Sequence, residues 1–312
     1  MAHAGMLDRY RKAARTLSHR VDDYGRIGRR SFSARLHAWA GRPEASLLEH
    51  AQLIRHVKRS RESMRSYRRI EELVARYPSA LASYALDDQL PERLVCFVGY
   101  PGSGHSLVGS LVDAHPHAAV AHELNALEQI RCGHSFEQTL KAIRWNALFF
   151  HQLGRSQTDD DCRVPGQFQG RVTRLRVAGD KRGNGTVRLL RRHPQFLDLL
   201  AEKVPVPLRF VHVIGNPYDN IATRARRQQI GLDHAARGYF AHADTFRWLR
   251  EQQGERVLDL YLDDLLARPA AELTRLLNFL RLGPPDADYL EDCASVLFEK
   301  PRRPRDDACW DR

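Results

Sequence analysis

The stretch "GYPGSGHS", Gly99 to Ser106, decides how the rest of the chain is read. It follows the apolar run "RLVCFV" and precedes "SLVGSLVDAH", whose apolar residues recur at helical spacing. By spacing it is G-x-x-x-x-G followed by His-Ser, whereas a phosphate-binding loop reads G-x-x-x-x-G-K-[ST]. His105 stands where the lysine belongs. Gly99, Gly102 and Gly104 let backbone N–H groups converge on an anion, and a helix starting at Ser106 adds its positive dipole end. The competing reading is a structural strand-to-helix turn. Three glycines with the hydroxyls of Ser103 and Ser106 are more than such a turn requires.

Working outward, short apolar runs alternate with helical patterns. The runs are residues 93–99, 118–122, 173–179, 208–215 and 256–262. Helices are predicted near 106–114, 135–152, 186–201, 217–230, 234–253, 269–282 and 286–297. Alternation of strand and helix predicts an α/β domain with a parallel sheet of about five strands flanked by helices. Continuous hydrophobicity within the runs fits strands covered on both faces. In such a fold ligands bind beyond the carboxyl ends of the strands, where "GYPGSGHS" falls. This domain is assigned to residues 91–312, after a basic helical N-terminal extension over 1–90. The extension carries 18 Lys+Arg against 10 Asp+Glu, and residues 46–77 show helical spacing up to Pro78.

The chain has 312 residues and a formal net charge of +11, most of it in that extension. The balance favours acidic partners without choosing among them: nucleotides, sulfated or phosphorylated ligands, nucleic acid, or an anionic membrane surface. The extension reads as a solvated basic face on packed helices or as a contact surface for membrane or polyanion. No zinc-finger spacing or RNP-like aromatic motif is present, so no nucleic-acid partner is expected. Five cysteines lie far apart, which reads as free thiols in a reducing compartment. No apolar run is long enough to span a membrane, and "MAHAGMLDRYRKAARTL" is too charged for a signal peptide. A cytoplasmic location is expected, with peripheral membrane contact as the variant of it. His115, His117 and His122 lack companions at ligand spacing, so no metal is expected. Without the lysine that reaches the outer phosphates, an ordinary nucleotide triphosphatase is disfavoured. Asp180 is the nearest candidate for a magnesium-binding acid, so a P-loop kinase using ATP and Mg²⁺ stays as an alternative.

The chain resembles sulfotransferases that use 3′-phosphoadenosine 5′-phosphosulfate, in particular their bacterial and tyrosylprotein branch. "VGYPGSGHSLVGSLVDAHP" resembles their phosphosulfate loop and the helix after it. "RFVHVIGNPYDNIATRAR" is similar to the strand, loop and helix that grip the 3′-phosphate, and "AGDKRG" to a lysine-bearing strand end. "LDLYLDDLLARPAAELTRLLNFLRL" and "EKPRRPRDDACW" resemble the late strand with its helix and the basic C-terminal loop. The five blocks stand in family order over roughly 93–310.

The resemblance implies a P-loop-like fold and in-line transfer of a sulfuryl group from that nucleotide, without metal, to a hydroxyl or amine. It implies Glu123 as general base, with His122 as the neighbouring alternative. Successive residues of an extended segment face opposite ways, so only one of these two is expected to enter the site. Lys181 and His105 would stabilise charge on the leaving phosphate, and Asp180 would orient Lys181 or cap a turn. The nucleotide would be held by Gly102, Ser103, Gly104, His105, Ser106, Thr223, Tyr261, Lys300, Arg302, Arg303 and Arg305. Two positions depart from the pattern: Gly102 and Gly215 stand where the family has basic residues. Arg224 and Arg226 lie near enough in sequence to compensate. A catalytically impaired, nucleotide-binding relative is therefore a further alternative. Residues 124–172, with Trp145, Phe149, Phe150 and a polar loop over 154–170, would form much of the acceptor pocket. Carbohydrate, lipid-linked, phenolic and peptide acceptors stay open.

Overall fold

The structure is a computed structural model that describes residues 90–153, 163–170, 172–297, 303–308 and 310. The basic extension up to residue 89 lies outside the described residues, as do Lys300, Arg302 and part of the 154–170 loop.

Five strands form one parallel sheet: β1 (Arg93–Gly99), β2 (Ala118–His122), β3 (Val177–Lys181), β4 (Leu208–Ile214) and β5 (Val257–Tyr261). Their order across the sheet is β2-β3-β1-β4-β5. Ten α-helices accompany them among the described residues: α1 (His105–Asp113), α2 (Ala126–Arg131), α3 (Phe136–Leu153), α4 (Gly183–Arg192) and α5 (Phe196–Lys203), then α6 (Pro217–Gln228), α7 (Leu232–Gln253), α8 (Leu262–Ala267), α9 (Pro269–Leu280) and α10 (Ala287–Ser295).

Every residue of β1 is buried, as the unbroken run "RLVCFVG" requires of a central strand. The pleat divides its side chains between two cores. Val95 and Phe97 pack with α1, α9 and α10 through Leu111, Leu273, Leu277 and Tyr289. Leu94, Cys96 and Val98 pack on the other face with Ile130, Ile143, Leu190 and Leu249, from α2, α3, α4 and α7. The expected architecture is thus present, but α2 and α8 are short helices the pattern did not predict, and two predicted elements are revised. The helix predicted over 186–201 is two helices, because Pro194 cannot continue α4 and the chain turns there before α5. The strand predicted over 173–179 lies instead at 177–181, where Val177 pairs with Arg93 and Lys181 with His122. Asp180 and Lys181 therefore belong to the strand.

The strand order sets the ligand crevice. The connection after β1 leaves toward the β2 edge and the one after β4 toward the β5 edge. The connections that follow the neighbouring strands β1 and β4 therefore lead in opposite directions, which marks the usual binding position in an open α/β sheet.

Candidate active site

The loop after β1 is built for a close backbone approach. Gly102 and Gly104 both have φ of +89°, a region where side-chain-bearing residues are strained. Gly104 is the N-cap of α1 and provides no side-chain cap, and the first turn has no acidic residue. The N–H groups of that turn have no acceptor within the helix, so the helix start presents donors and a positive dipole end. Ser103 is buried, and its N–H bonds to the Tyr100 carbonyl at 3.1 Å. Its hydroxyl lies 3.2 Å from His105 Nδ1.

Beside this loop, β2 and β3 deliver a charged cluster. The Lys181 ammonium is completely buried, 3.3 Å from Glu123 Oε1 and 3.4 Å from His122 Nε2. Arg182 donates to the other Glu123 oxygen at 3.0 Å. Both His122 and Glu123 thus reach Lys181, against the expectation that only one would enter the site. Strand alternation fails here because Glu123 has left the extended conformation, with φ of +57°. Its N–H still bonds to the Lys181 carbonyl at 3.0 Å, so the backbone turns immediately after a last ladder contact. Lys181 is seated by glycine: a Cβ on Gly109 would stand 2.8 Å from Lys181 Cγ.

Asp180, next to Lys181 and facing the other way, caps a turn. It is buried and accepts N–H bonds from Leu124 at 3.0 Å and Ala126 at 2.7 Å, fixing the start of α2. Burial pushes its carboxyl up to about 6, against the pull of those two bonds.

His105 is partly buried, its ring lying on Gly183, where a Cβ would stand 2.9 Å from it. Burial, then the Lys181 charge, lower its pKa to about 3. It is neutral at physiological pH and acts as a dipole rather than a cation. The unfolded chain takes up this proton below about 6.5, so the stability due to neutral His105 is full above that pH and is lost as pH falls toward 3. Asp180 works oppositely. Its folded form takes up a proton first, so it gains stability as pH falls from about 6 to 3.8. His105→Gln is accordingly expected to lose less stability than the parent between pH 6.5 and 3, read from urea unfolding at a series of pH values.

The second half of the site comes from β4 and α6. Asn216 caps α6 by accepting from the N–H groups of Tyr218 and Asp219, and Pro217 fills the first helical position. Gly215 is buried against the first loop: a Cβ there would meet Ser103 Cα at 3.0 Å and the Asn220 amide at 3.3 Å. The Asn220 and Thr223 side chains also face Gly102, at 3.5 and 3.9 Å from a Cβ position there. Thr223, Ser103, Gly102 and Gly104 therefore lie in one cradle, with Ser106 in the first turn of α1. Tyr261, about half exposed, ends β5, and the Leu262 side chain after it lies against Gly104.

Two arginines near this half have fixed partners. Arg305 donates to Asp219 at 2.9 Å, and its backbone N–H bonds to the other carboxylate oxygen. Trp310 donates to the Arg305 carbonyl at 2.9 Å and meets Tyr218 edge-on, so the C-terminal turn is pinned to α6. Arg224 donates to the Tyr100 hydroxyl at 2.9 Å and lies over its ring. Arg226 is exposed, and Arg303 precedes the short 3₁₀ turn Pro304–Asp307.

Sequence reading passed over Arg182, Asn220 and Tyr100. "AGDKRG" holds a signal for Arg182 in its paired cations, Lys181 and Arg182. Asn220 and Tyr100 are conspicuous only once the two loops touch.

No protein-family profile matches the chain, and no curated protein matches it. Solved structures are similar to it. One is the sulfotransferase domain of the Synechococcus PCC 7002 olefin synthase, at 17% identity, covering 66% of this chain and 78% of that one, with a TM-score of 0.42. A second is sulfotransferase STF9 from Mycobacterium avium, at 12% identity, with 76% and 74% covered and a TM-score of 0.42. A third is mouse sulfotransferase SULT7A1 complexed with PAP, at 12% identity, with 67% and 66% covered and a TM-score of 0.35.

Proposed function

We propose that this site transfers a sulfuryl group from 3′-phosphoadenosine 5′-phosphosulfate to a hydroxyl or amine. The observation that carries the reading is the placement of a wholly buried lysine, paired with a part-exposed carboxylate, beside an uncapped helix start. A dianionic leaving group needs fixed positive potential in a dry site, and an acceptor needs a proton acceptor at the mouth.

In this reading the N–H groups of Gly102, Gly104, His105 and Ser106 hold the 5′-phosphosulfate, with the Ser103 and Ser106 hydroxyls beside it. Thr223, the Asn220 amide and the C-terminal turn that carries Arg303 and Arg305 serve the 3′ side. The acceptor oxygen attacks sulfur, an O–S bond forms, and the sulfur–oxygen bond to the 5′-phosphate breaks in line. The acceptor proton passes to Glu123. Lys181 meets the charge that develops on the phosphate, and neutral His105 contributes a hydrogen bond. Arg182 holds the second Glu123 oxygen and orients the carboxylate. Against a kinase stands the use of Asp180: both its oxygens already accept backbone N–H bonds.

Thermal shift with 3′-phosphoadenosine 5′-phosphate, compared with ATP and Mg²⁺, tests the nucleotide. At about 100 Kd the bound nucleotide stabilises by roughly 2.7 kcal/mol. A response to ATP and Mg²⁺ alone would overturn the reading. Glu123→Gln is expected to lower transfer to a hydroxyl-acceptor panel by about 10²–10⁴-fold, with nucleotide affinity preserved. Unchanged turnover would remove Glu123 from the mechanism. Nucleotide binding by the parent without any transfer would instead favour a binding protein.

A further inference from the structure

At the opposite end of the sheet from these loops, the amino ends of four neighbouring strands carry a row of arginines. Arg93 opens β1 and pairs with Val177, which Arg176 precedes. Arg209 is the second residue of β4, opposite Val95. Arg256 immediately precedes β5, whose Val257 lies opposite Phe210. Strands stand about 4.8 Å apart, so the row across β3, β1, β4 and β5 spans about 14 Å. Arg281 follows α9 in the left-handed region, with φ of +54°.

The side chains are held in place, and among the described residues only Arg176 of the row is paired with a carboxylate, that of Glu92. Arg93 donates from Nη1 to the Leu280 carbonyl at 2.8 Å, and Arg176 from Nη1 to the Leu282 carbonyl at 3.3 Å. Arg209 lies over the Phe279 ring at 5.9 Å. These contacts gather the row around the negative end of α9. Glu92 is taken up by Arg176 in a two-oxygen contact at 2.8 and 3.2 Å. Arg93 is only 5% exposed, and its Nε has no hydrogen-bond partner. Burial, then Arg281 and Arg209, lower the Arg93 pKa. Burial, then Arg256 and Arg281, do the same to Arg209. Arginines thus predominate at this edge, with Glu92 and Glu255 as acidic neighbours that pull the other way.

We propose that this amino edge docks on the phosphate surface of an anionic membrane. Arg256 and Arg281 are exposed and Arg209 partly so, and arginine is the residue whose planar fork binds phosphate in pairs of hydrogen bonds; Arg93 and Arg176 stand behind them. Leu90, three residues before Arg93 at the start of β1, is an aliphatic side chain 48% exposed. Hydrocarbon beneath a layer of phosphates suits both, whereas a nucleic acid offers Leu90 nothing. The segment joined to this edge at Leu90 holds 18 Lys+Arg against 10 Asp+Glu. Strands of five to seven residues are about 20 Å long, so docking here leaves the candidate active site facing away from the bilayer. The proposal does not depend on the reaction at that site.

Co-sedimentation of the full chain with phosphatidylcholine vesicles containing about 30% phosphatidylglycerol tests it. The chain is expected to bind these vesicles, to ignore pure phosphatidylcholine, and to release as salt rises. Arg256→Glu/Arg281→Glu reverses two exposed members of the row. It is expected to weaken binding about tenfold or more. The milder Arg256→Gln/Arg281→Gln should fall between, which guards against misfolding of the reversed form. Arg227→Glu/Arg237→Glu, the same charge change on exposed residues of α6 and α7, should bind as the parent does. Absence of vesicle binding, an unaltered Arg256/Arg281 variant, or an equal loss in the control would each overturn the proposal. So would binding to a single-stranded DNA oligonucleotide in preference to the vesicles, which would assign the row to nucleic acid.

Discussion

Lys181→Met is expected to cut the proposed transfer by about 10²–10³-fold while nucleotide affinity changes less than tenfold. The substitution keeps the length of the stem that packs against Gly109 and removes only the ammonium. That ammonium is fully buried, where the surrounding dielectric is low and a fixed charge has its greatest effect on a developing anion. Glu123 keeps its contact with Arg182 and its part-exposed position, so the loss of Lys181 does not strand a buried carboxylate. Single-turnover rates with a labelled donor, set beside nucleotide affinity, separate the two effects. Because Lys181 and Glu123 touch, Lys181→Met/Glu123→Gln should be far from additive. Turnover within tenfold of the parent in Lys181→Met would mean that the ammonium is not what stabilises the leaving group.

Restoring arginine at the two unusual glycines is expected to have opposite outcomes. Gly215→Arg should be strongly destabilising. Its Cβ would press on the Ser103 backbone at 3.0 Å and on the buried Asn220 side chain, and neither can retreat without opening the loop. Overpacking of this kind costs about 1–3 kcal/mol or more. Gly102 is exposed, and the nearest atom to a Cβ there is the Asn220 amide oxygen at 3.5 Å. Gly102→Arg meets only the strain of its positive φ, about 1–2 kcal/mol, so it should fold with a modestly lower Tm. The new guanidinium would stand beside Thr223, and nucleotide affinity should rise. Urea unfolding and calorimetric binding of 3′-phosphoadenosine 5′-phosphate read both variants. A well-folded Gly215→Arg would show that the two loops are not wedged together.

Local pattern carried most of the fold and part of the site. The strands at 93–99 and 118–122 stand where their apolar runs end, because a central parallel strand buried on both faces leaves an unbroken signature. The loop glycines were legible for a similar reason, since a positive φ at a helix start narrows the choice of residue. The strand bearing Lys181 was displaced by several residues. A buried aspartate and lysine look like a loop until a neighbouring strand and a helix start supply their partners. The relation of Glu123 to His122 differs from the expected one, because alternation holds only while the backbone stays extended.

The sequence by itself determined an α/β layering, a glycine-lined loop after the first strand, and a histidine where a phosphate-binding loop carries lysine. These are local consequences of periodicity and backbone freedom. Only the tertiary structure decided that this histidine is neutral and that Lys181, Glu123, His122 and Arg182 form one cluster. It alone separated Gly215, which lets two loops touch, from Gly102, which leaves space above the cradle. Contact distance, desolvation and the charge of neighbours distant in sequence set those properties, and a one-dimensional pattern encodes none of them.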